Sequence, residues 1–176
     1  VTAGTEGTRA RILRAALEIA HEAGSVSLEA VAAKAGVSKG GLLYHFPSKA
    51  ALLRGLVEEQ LARFEAALGT EAAASRHDGV IGAYIETFVT QRLCDAPPSA
   101  GMLPALVEDP AILEPVRLRE RGFLDAIRAN AADPNEATIA YLALHGLALM
   151  RLLGIDMLGE DERAAILARM RGGDAR

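Results

Sequence analysis

The chain has 176 residues, 51% of them apolar and 24% charged, the balance of a globular protein with enough length to bury a substantial core. This composition excludes a disordered chain, and every apolar stretch is broken by Arg, His, Asp or Gly before it could cross a bilayer. The net charge of −4 argues against a nucleic-acid partner until its distribution is read: residues 1–50 hold six bases and four acids, while residues 51–176 hold 13 bases and 19 acids. A small N-terminal module could therefore face phosphates while the remainder stays acidic. No basic start followed by an apolar block suggests a signal peptide, so a cytoplasmic location with no membrane association is expected. Cys94 is the single cysteine, which rules out an internal disulfide and reads as a small buried hydrophobe.

Apolar residues recur three and four apart, Ala, Leu, Glu and Arg abound, and no stretch alternates over a strand's length, so an all-α fold of about nine helices is expected. The first helix spans about Thr8 to Glu22 and buries Ile12, Ala16, Ile19 and Ala20, with Gly24 as its stop. Ser27 caps a short second helix that carries Glu29 in its first turn and ends near Ala35-Gly36. Ser38 caps a third reaching about Phe46. After Pro47, Ser48 caps a long fourth helix to about Leu68, and Gly69 to Arg76 reads as a connection. A fifth helix runs from Asp78 to about Cys94, and Ala96-Pro97-Pro98-Ser99 breaks the chain before a short sixth near 100–107. Asp109-Pro110 opens the next helix, which Pro115 kinks or restarts on its way to about Asn130. Asp133-Pro134-Asn135-Glu136 starts an eighth helix, apolar on nearly every face from Ile139 to Leu153 and ended by Gly154. A ninth covers about 160–171.

The stretch from Leu28 to Phe46 carries the chemistry. Two short helices joined by a tight turn must cross steeply to share a core, and Ala32, Ala35 and Gly36 are small enough for that crossing. Val31, Val37 and Leu42 supply the apolar contacts. Gly40-Gly41 costs helix propensity, about 1 kcal/mol each relative to Ala, which makes sense where a partner must approach the backbone closely. The floor of a DNA major groove is such a partner, and Ser38, Lys39, Tyr44 and His45 surround the glycines with polar tips. Gly36-Val-Ser38-Lys-Gly40 also matches the nucleophile elbow of serine hydrolases, but a helix precedes it where that motif needs a strand, and no partner acid and base are evident. An enzyme is therefore not expected. His21, His45, His77 and His145 lack the spacing of metal ligands, so neither a metal nor a cofactor is expected.

Arg11-Ile-Leu-Arg-Ala-Ala, Val31-Ala-Ala-Lys-Ala-Gly-Val-Ser-Lys-Gly and Leu43-Tyr-His-Phe-Pro-Ser-Lys49 together resemble the N-terminal domain of the tetracycline-repressor family of bacterial regulators. Ala50 departs from the pattern, since many members place Glu there. The resemblance implies that Lys39 and Gly40 lie against base edges. It also implies that Thr8, Arg9, Ser27, Ser38, Tyr44, His45 and Lys49 hold phosphates.

The C-terminal half presents three apolar stripes with embedded polar groups, as between helices that enclose a ligand. They are Ile81, Tyr84, Ile85, Phe88 and Arg92; Leu113, Val116, Glu120, Phe123 and Ile127; and Thr138, Tyr141, Leu142, His145 and Leu149. A solid core would show similar stripes, but the resemblance to ligand-sensing regulators favours a site lined by Tyr84, Phe88, Arg92, Glu120, Phe123, Leu142 and His145. A helix apolar all round needs more cover than one small domain offers, so Ala143, Gly146 and Met150, with Ile166, Leu167 and Met170, are expected to meet a second subunit. The expected organisation is a helix-turn-helix domain over 1–47 and a ligand-binding and dimerisation domain over 48–176. The expected function is a homodimeric repressor on near-palindromic double-stranded operator DNA, released by a small-molecule effector. The competing expectation is a helical protein that binds a ligand or partner without DNA.

Overall fold

The computed structural model describes residues 7–23, 26–74, 79–94, 109–155 and 157–171, apart from the side chains at 21, 23, 71–74, 79 and 92–94. Among these residues every regular element is helical and none is a strand. The chain divides into two compact units, one holding residues 7–60 and 109–116, the other 61–94 and 117–171.

The first unit opens with α1 (Thr8–Ala23), α2 (Leu28–Ala35) and α3 (Lys39–His45). Ile12, Leu13, Ala16, Ile19 and Ala20 are buried along one face of α1, as their spacing requires. Ser27 Oγ accepts from the Ala30 N–H at 3.1 Å and caps α2. Gly36 ends that helix in the left-handed region (φ 65°), where its N–H reaches Ala33 O and the Val37 N–H reaches Ala32 O. This paired closure needs a residue without a Cβ penalty, and it sets the chain's direction into α3. Ser38 Oγ caps α3 through the Gly41 N–H at 3.0 Å, and Val31 and Leu42 are wholly buried beneath the crossing.

The 26-residue helix α4 (Lys49–Ala74) is capped by Ser48, whose Oγ accepts from the Ala51 N–H at 3.0 Å. Its first half puts Leu52, Leu53 and Leu56 into the same core as α1 to α3. A 3-10 turn, Pro110–Leu113, follows the Asp109 cap and adds Ile112 to that core, while the Arg54 guanidinium donates to Ala111 O at 3.2 Å. The division expected after residue 47 thus marks the end of the helix-turn-helix, whereas the packed core extends along α4.

The second unit contains the later half of α4, α5 (Gly79–Phe88) with a π-helical turn (Val89–Cys94), α6 (Glu114–Asn130) from Arg117 onward, α7 (Pro134–Leu152) and α8 (Glu160–Met170). Asp133 caps α7 by accepting from the Asn135 and Glu136 N–H groups at 2.8 and 3.2 Å, with Pro134 at the first helical position. The Glu162 carboxylate accepts from the Gly159 N–H at 2.8 Å and plays that part for α8. The second core gathers Phe64, Tyr84, Ile85, Phe88, Ile127, Ala137, Tyr141, Leu144 and Leu167.

Several expectations need correction. The fourth helix does not stop at Leu68 but continues through Gly69 and Thr70, whose hydroxyl donates back to Ala66 O at 3.1 Å. The fifth is not one α-helix to Cys94, because it loosens to π geometry after Phe88. Pro115 restarts rather than kinks its helix: it follows the 3-10 turn at the second position of α6, where no intrahelical N–H is required of it. Leu167 and Met170 belong to the chain's own second core, leaving Ile166 as the more exposed residue of that trio. The expected sixth helix near 100–107 lies outside the described residues.

Gly55 and Gly69 occupy the same helix in opposite circumstances. A Cβ on Gly55 would stand 2.7 Å from Phe46 Cε1 and 3.3 Å from Leu13 Cδ2, whereas one on Gly69 would meet nothing within 4 Å. Replacing glycine by alanine in a helix favours folding by about 1 kcal/mol, while overpacking a core costs about 1–3 kcal/mol. Gly55→Ala should therefore lower the melting temperature and Gly69→Ala should raise it, as measured by circular dichroism. A Gly55→Ala variant as stable as Gly69→Ala would contradict the packing described for Phe46.

Candidate functional site

The residues expected at DNA all lie in the first unit. Lys39, Gly40, Gly41 and Tyr44 follow one another along α3, and the Tyr44 side chain is 86% exposed. A tyrosine that is core packing would not stand so far out of the protein. His45 is half-buried, with its ring edge-on to Tyr44 at 5.2 Å between centroids. Ser27 and Ser38 spend an oxygen lone pair on their caps, which leaves each hydroxyl hydrogen for an outside acceptor. Thr8 begins α1, Lys49 begins α4, and Lys49 is exposed. Arg9 has its guanidinium carbon 5.3 Å from the Phe46 ring centroid and Nη2 4.0 Å from Glu58 Oε2. Gly40 is open, since a Cβ there would come no nearer than 4.0 Å to any neighbour.

Lys39 carries one feature that spacing did not disclose. Its Nζ lies 2.7 Å from Glu29 Oε1, joining the first turn of α3 to the first turn of α2. The hydrogen bond from Lys39 holds the Glu29 carboxyl below its ordinary range, with the bond to its own backbone N–H and the lysine's charge adding to the effect. Lys34 has a different task. It reaches Glu22 at 2.8 Å and Glu18 at 3.3 Å on α1, and the Glu22 bond raises its pKa despite some desolvation.

In the second unit Tyr84, Phe88, Glu120, Phe123 and His145 come together. The Tyr84 hydroxyl is 3.1 Å from Glu120 Oε2 and 3.0 Å from His145 Nε2, and the Tyr141 hydroxyl also donates to Glu120 Oε2. Aromatic rings enclose this group: Phe64 lies 5.3 Å from Tyr84 and 5.5 Å from Phe123, and Phe88 lies 4.8 Å from His145, between centroids. Burial, followed by the Glu120 charge, pushes the Tyr84 phenol far above its usual pKa, so it stays a proton donor at any physiological pH. Leu142 is not part of the group. It is 60% exposed on the other face of α7, and the Arg92 side chain lies outside the described residues. Tyr141 and Phe64 complete the cluster; Tyr141 lies in the expected stripe, four residues before His145, but outside the expected site.

The other face of α7 shows Ile139, Leu142, Leu149, Met150 and Leu153 to solvent, with Gly146 open beside them and Ile166 on α8. Their steps of three, four and seven form a continuous apolar seam.

Two short helices locked across a glycine turn, the second with a bare polar face, in a chain whose remaining length builds a separate helical unit, define a helix-turn-helix regulator. Family models agree: bacterial regulatory proteins of the tetR family match residues 12–56, and the tetracyclin repressor-like C-terminal domain matches residues 78–172. The chain belongs to the tetracycline-repressor family of transcriptional regulators. Its structure resembles that of a transcriptional regulator from Rhodococcus sp. Rha1, with 19% identity, 94% of this chain and 95% of that one covered, and a TM-score of 0.69. A putative transcriptional regulator from Streptomyces coelicolor A3(2) shares 25% identity over 93% of this chain and 98% of its own, with a TM-score of 0.64. LfrR from Mycobacterium smegmatis, solved in complex with proflavine, shares 18% over 97% and 99%, with a TM-score of 0.60. No curated protein matches the sequence significantly. No helix among the described residues is long and apolar enough to cross a membrane.

The hydroxyl network can be tested by its contribution to folding. Tyr84→Phe removes the donor to a largely buried carboxylate, a bond type worth about 1.5–3 kcal/mol. Tyr44→Phe, on an exposed ring, should stay within about 0.5 kcal/mol of the parent. Urea unfolding should separate the two variants, and equal midpoints would mean that the network adds nothing to the fold.

Proposed function

We propose that the protein is a repressor that binds a near-palindromic operator as a homodimer and leaves it when a small molecule enters the second unit. The observation that carries this reading is the uncovered face of α3, where Lys39, Gly40 and Tyr44 point away from the core. Lys39 and Gly40 meet base edges, and Thr8, Arg9, Ser27, Ser38, Tyr44, His45 and Lys49 hold phosphates. Residues 1–47 are the helix-turn-helix part, to which Lys49 at the start of α4 adds its phosphate contact, and residues 48–176 otherwise bind the effector and the second subunit.

The apolar seam of α7 supports the homodimer, because a strip of this kind on a soluble chain calls for cover and two copies supply it symmetrically. The ring-lined group around Glu120 supports the effector site. Its occupant has an apolar, ring-bearing body and one polar group that exchanges hydrogen bonds with Tyr84, Glu120 or His145. LfrR's complex with proflavine makes that dye a reasonable first probe. A ligand favouring the conformation unfit for DNA weakens operator binding by the factor by which DNA weakens ligand binding. Arg92 remains a candidate for orienting the ligand, and Leu142 passes from this site to the dimer seam.

Operator binding is tested on DNA selected from a random pool. Lys39→Ala should weaken the selected site and relax preference at one position of each half-site. Lys49→Ala should weaken all sequences alike and reduce the slope of log affinity against log salt by about 1. Parental affinity in both variants would remove α3 from the interface. A protein that selects no sequence yet binds a ligand would instead support the DNA-independent reading.

The dimer is tested by Gly146→Glu, which places a charge in the seam where a Cβ meets open space in the single chain. Light scattering should report dimers for the parent and monomers for the variant, with operator affinity lost together with the dimer. A parent that is monomeric at micromolar concentration would defeat this arrangement.

A further inference from the structure

The Lys39–Glu29 pair differs from the ion pairs that Lys34 and Arg9 make in the first unit. Lys34 ties α2 back to α1, and Arg9 lies against Phe46 and near Glu58. Lys39 and Glu29 instead join two helix starts on the surface, with side chains 61% and 67% exposed. Exposed pairs of this kind add little to folding stability, so stability does not explain a carboxylate placed beside the lysine that meets DNA. Near phosphates, an unpaired carboxylate would only repel.

We propose that Glu29 is a specificity-determining residue, and that Glu29 and Lys39 together read one G·C base pair in each half-site. This rests on the assignment of α3 to the major groove. An ammonium has three N–H donors, and Glu29 Oε1 takes one at 2.7 Å, leaving two for outside acceptors. Guanine offers two, N7 and O6, side by side on its groove edge. The second Glu29 oxygen remains an acceptor beside that ammonium, and the amino group of the paired cytosine is the donor next along the same edge.

An A·T pair keeps N7 as an acceptor for the ammonium but reverses the two positions beside it. Adenine's amino group then faces the ammonium, donor against donor, and thymine O4 faces the carboxylate, acceptor against acceptor. The pair therefore rejects the wrong base pair as well as accepting the right one, which is how specificity is gained beyond affinity. Holding the lysine in place also removes much of the freedom its long side chain would otherwise lose on binding. The two charges cancel locally, which lowers attraction to phosphates of any sequence and widens the gap between specific and non-specific binding.

The test compares the parent, Glu29→Gln and Lys39→Gln as full chains, by selection from random DNA and by fluorescence anisotropy on selected and scrambled duplexes. The parent should select G·C at one position of each half-site. Glu29→Gln should lose about tenfold in affinity for that site and relax the preference there. It should bind scrambled DNA as tightly as the parent or more tightly, because a negative charge has gone. Selected and scrambled affinities that rise together would mark Glu29 as merely repulsive; if they fall together, its role is structural. Either result overturns the proposal. If Lys39→Gln changes the preferred base and Glu29→Gln does not, the DNA reading stands and this inference falls. A parent that selects nothing overturns both. Should Glu29→Gln fold poorly by circular dichroism, Glu29→Asp keeps the charge but withdraws the carboxylate, and the same loss of preference is expected from it.

Discussion

The Phe46 ring decides where the DNA-facing helix points. α3 has seven residues, two of them glycine, and a helix of that length and composition does not hold itself in water. Phe46 closes it with an N–H to Leu42 O at 2.8 Å and then leaves the helix in extended conformation ahead of Pro47. The ring is 4% exposed and sits where Gly55 of α4 has no side chain, close to Leu13 of α1, with the Arg9 guanidinium on it. One side chain thus ties α3 to α1 and α4, and the Gly36 turn fixes the other end. With both ends held, the middle of α3 can keep Gly40-Gly41 and leave its outer face bare.

How much of this was legible in the sequence depends on how local each cause was. Caps and breaks at Ser27, Gly36, Ser38, Ser48, Asp109 and Asp133 act within a few residues of themselves, and the helices begin or end at them in the structure. Gly69 suggests a stop that the structure does not make, because a glycine costs only about 1 kcal/mol in a helix and a long helix such as α4 absorbs that. The π turn after Phe88 leaves no pattern in the sequence that tells it from an α-helix. For α7 the difficulty was a lack of contrast. With apolar residues on every side, spacing cannot say which face goes inward, and only packing put Tyr141, Leu144 and His145 inside and Leu142 and Leu149 outside. The Glu29–Lys39 pair spans ten residues and a turn, and no periodicity of a single helix brings those two together.

The cluster around Glu120 shows how an acid is accommodated in an aromatic core. A largely buried carboxylate needs donors, and Tyr84 and Tyr141 both direct hydroxyls at the same oxygen. A phenol has one hydrogen. If Tyr84 gives it to Glu120, the 3.0 Å contact to His145 requires the imidazole to donate from Nε2. The ring's tautomer and the acid's charge are therefore linked through Tyr84. Changing any one of these bonds therefore rearranges the others.

Movement at that cluster has two covalent routes towards the helix-turn-helix. α4 is one uninterrupted helix from Lys49 to Ala74 and carries Phe64. α6 carries Glu120 and Phe123 and continues directly from the 3-10 turn whose Ile112 is 1% exposed in the first core. A rigid helix can carry coupling between sites, which a flexible connection dissipates. Leu52, Leu53 and Leu56 lie on the first route and Ile112 on the second. These four residues belong to the core that also holds Phe46. The packing that holds α3 in place is thus the packing that α4 and the turn before α6 both enter.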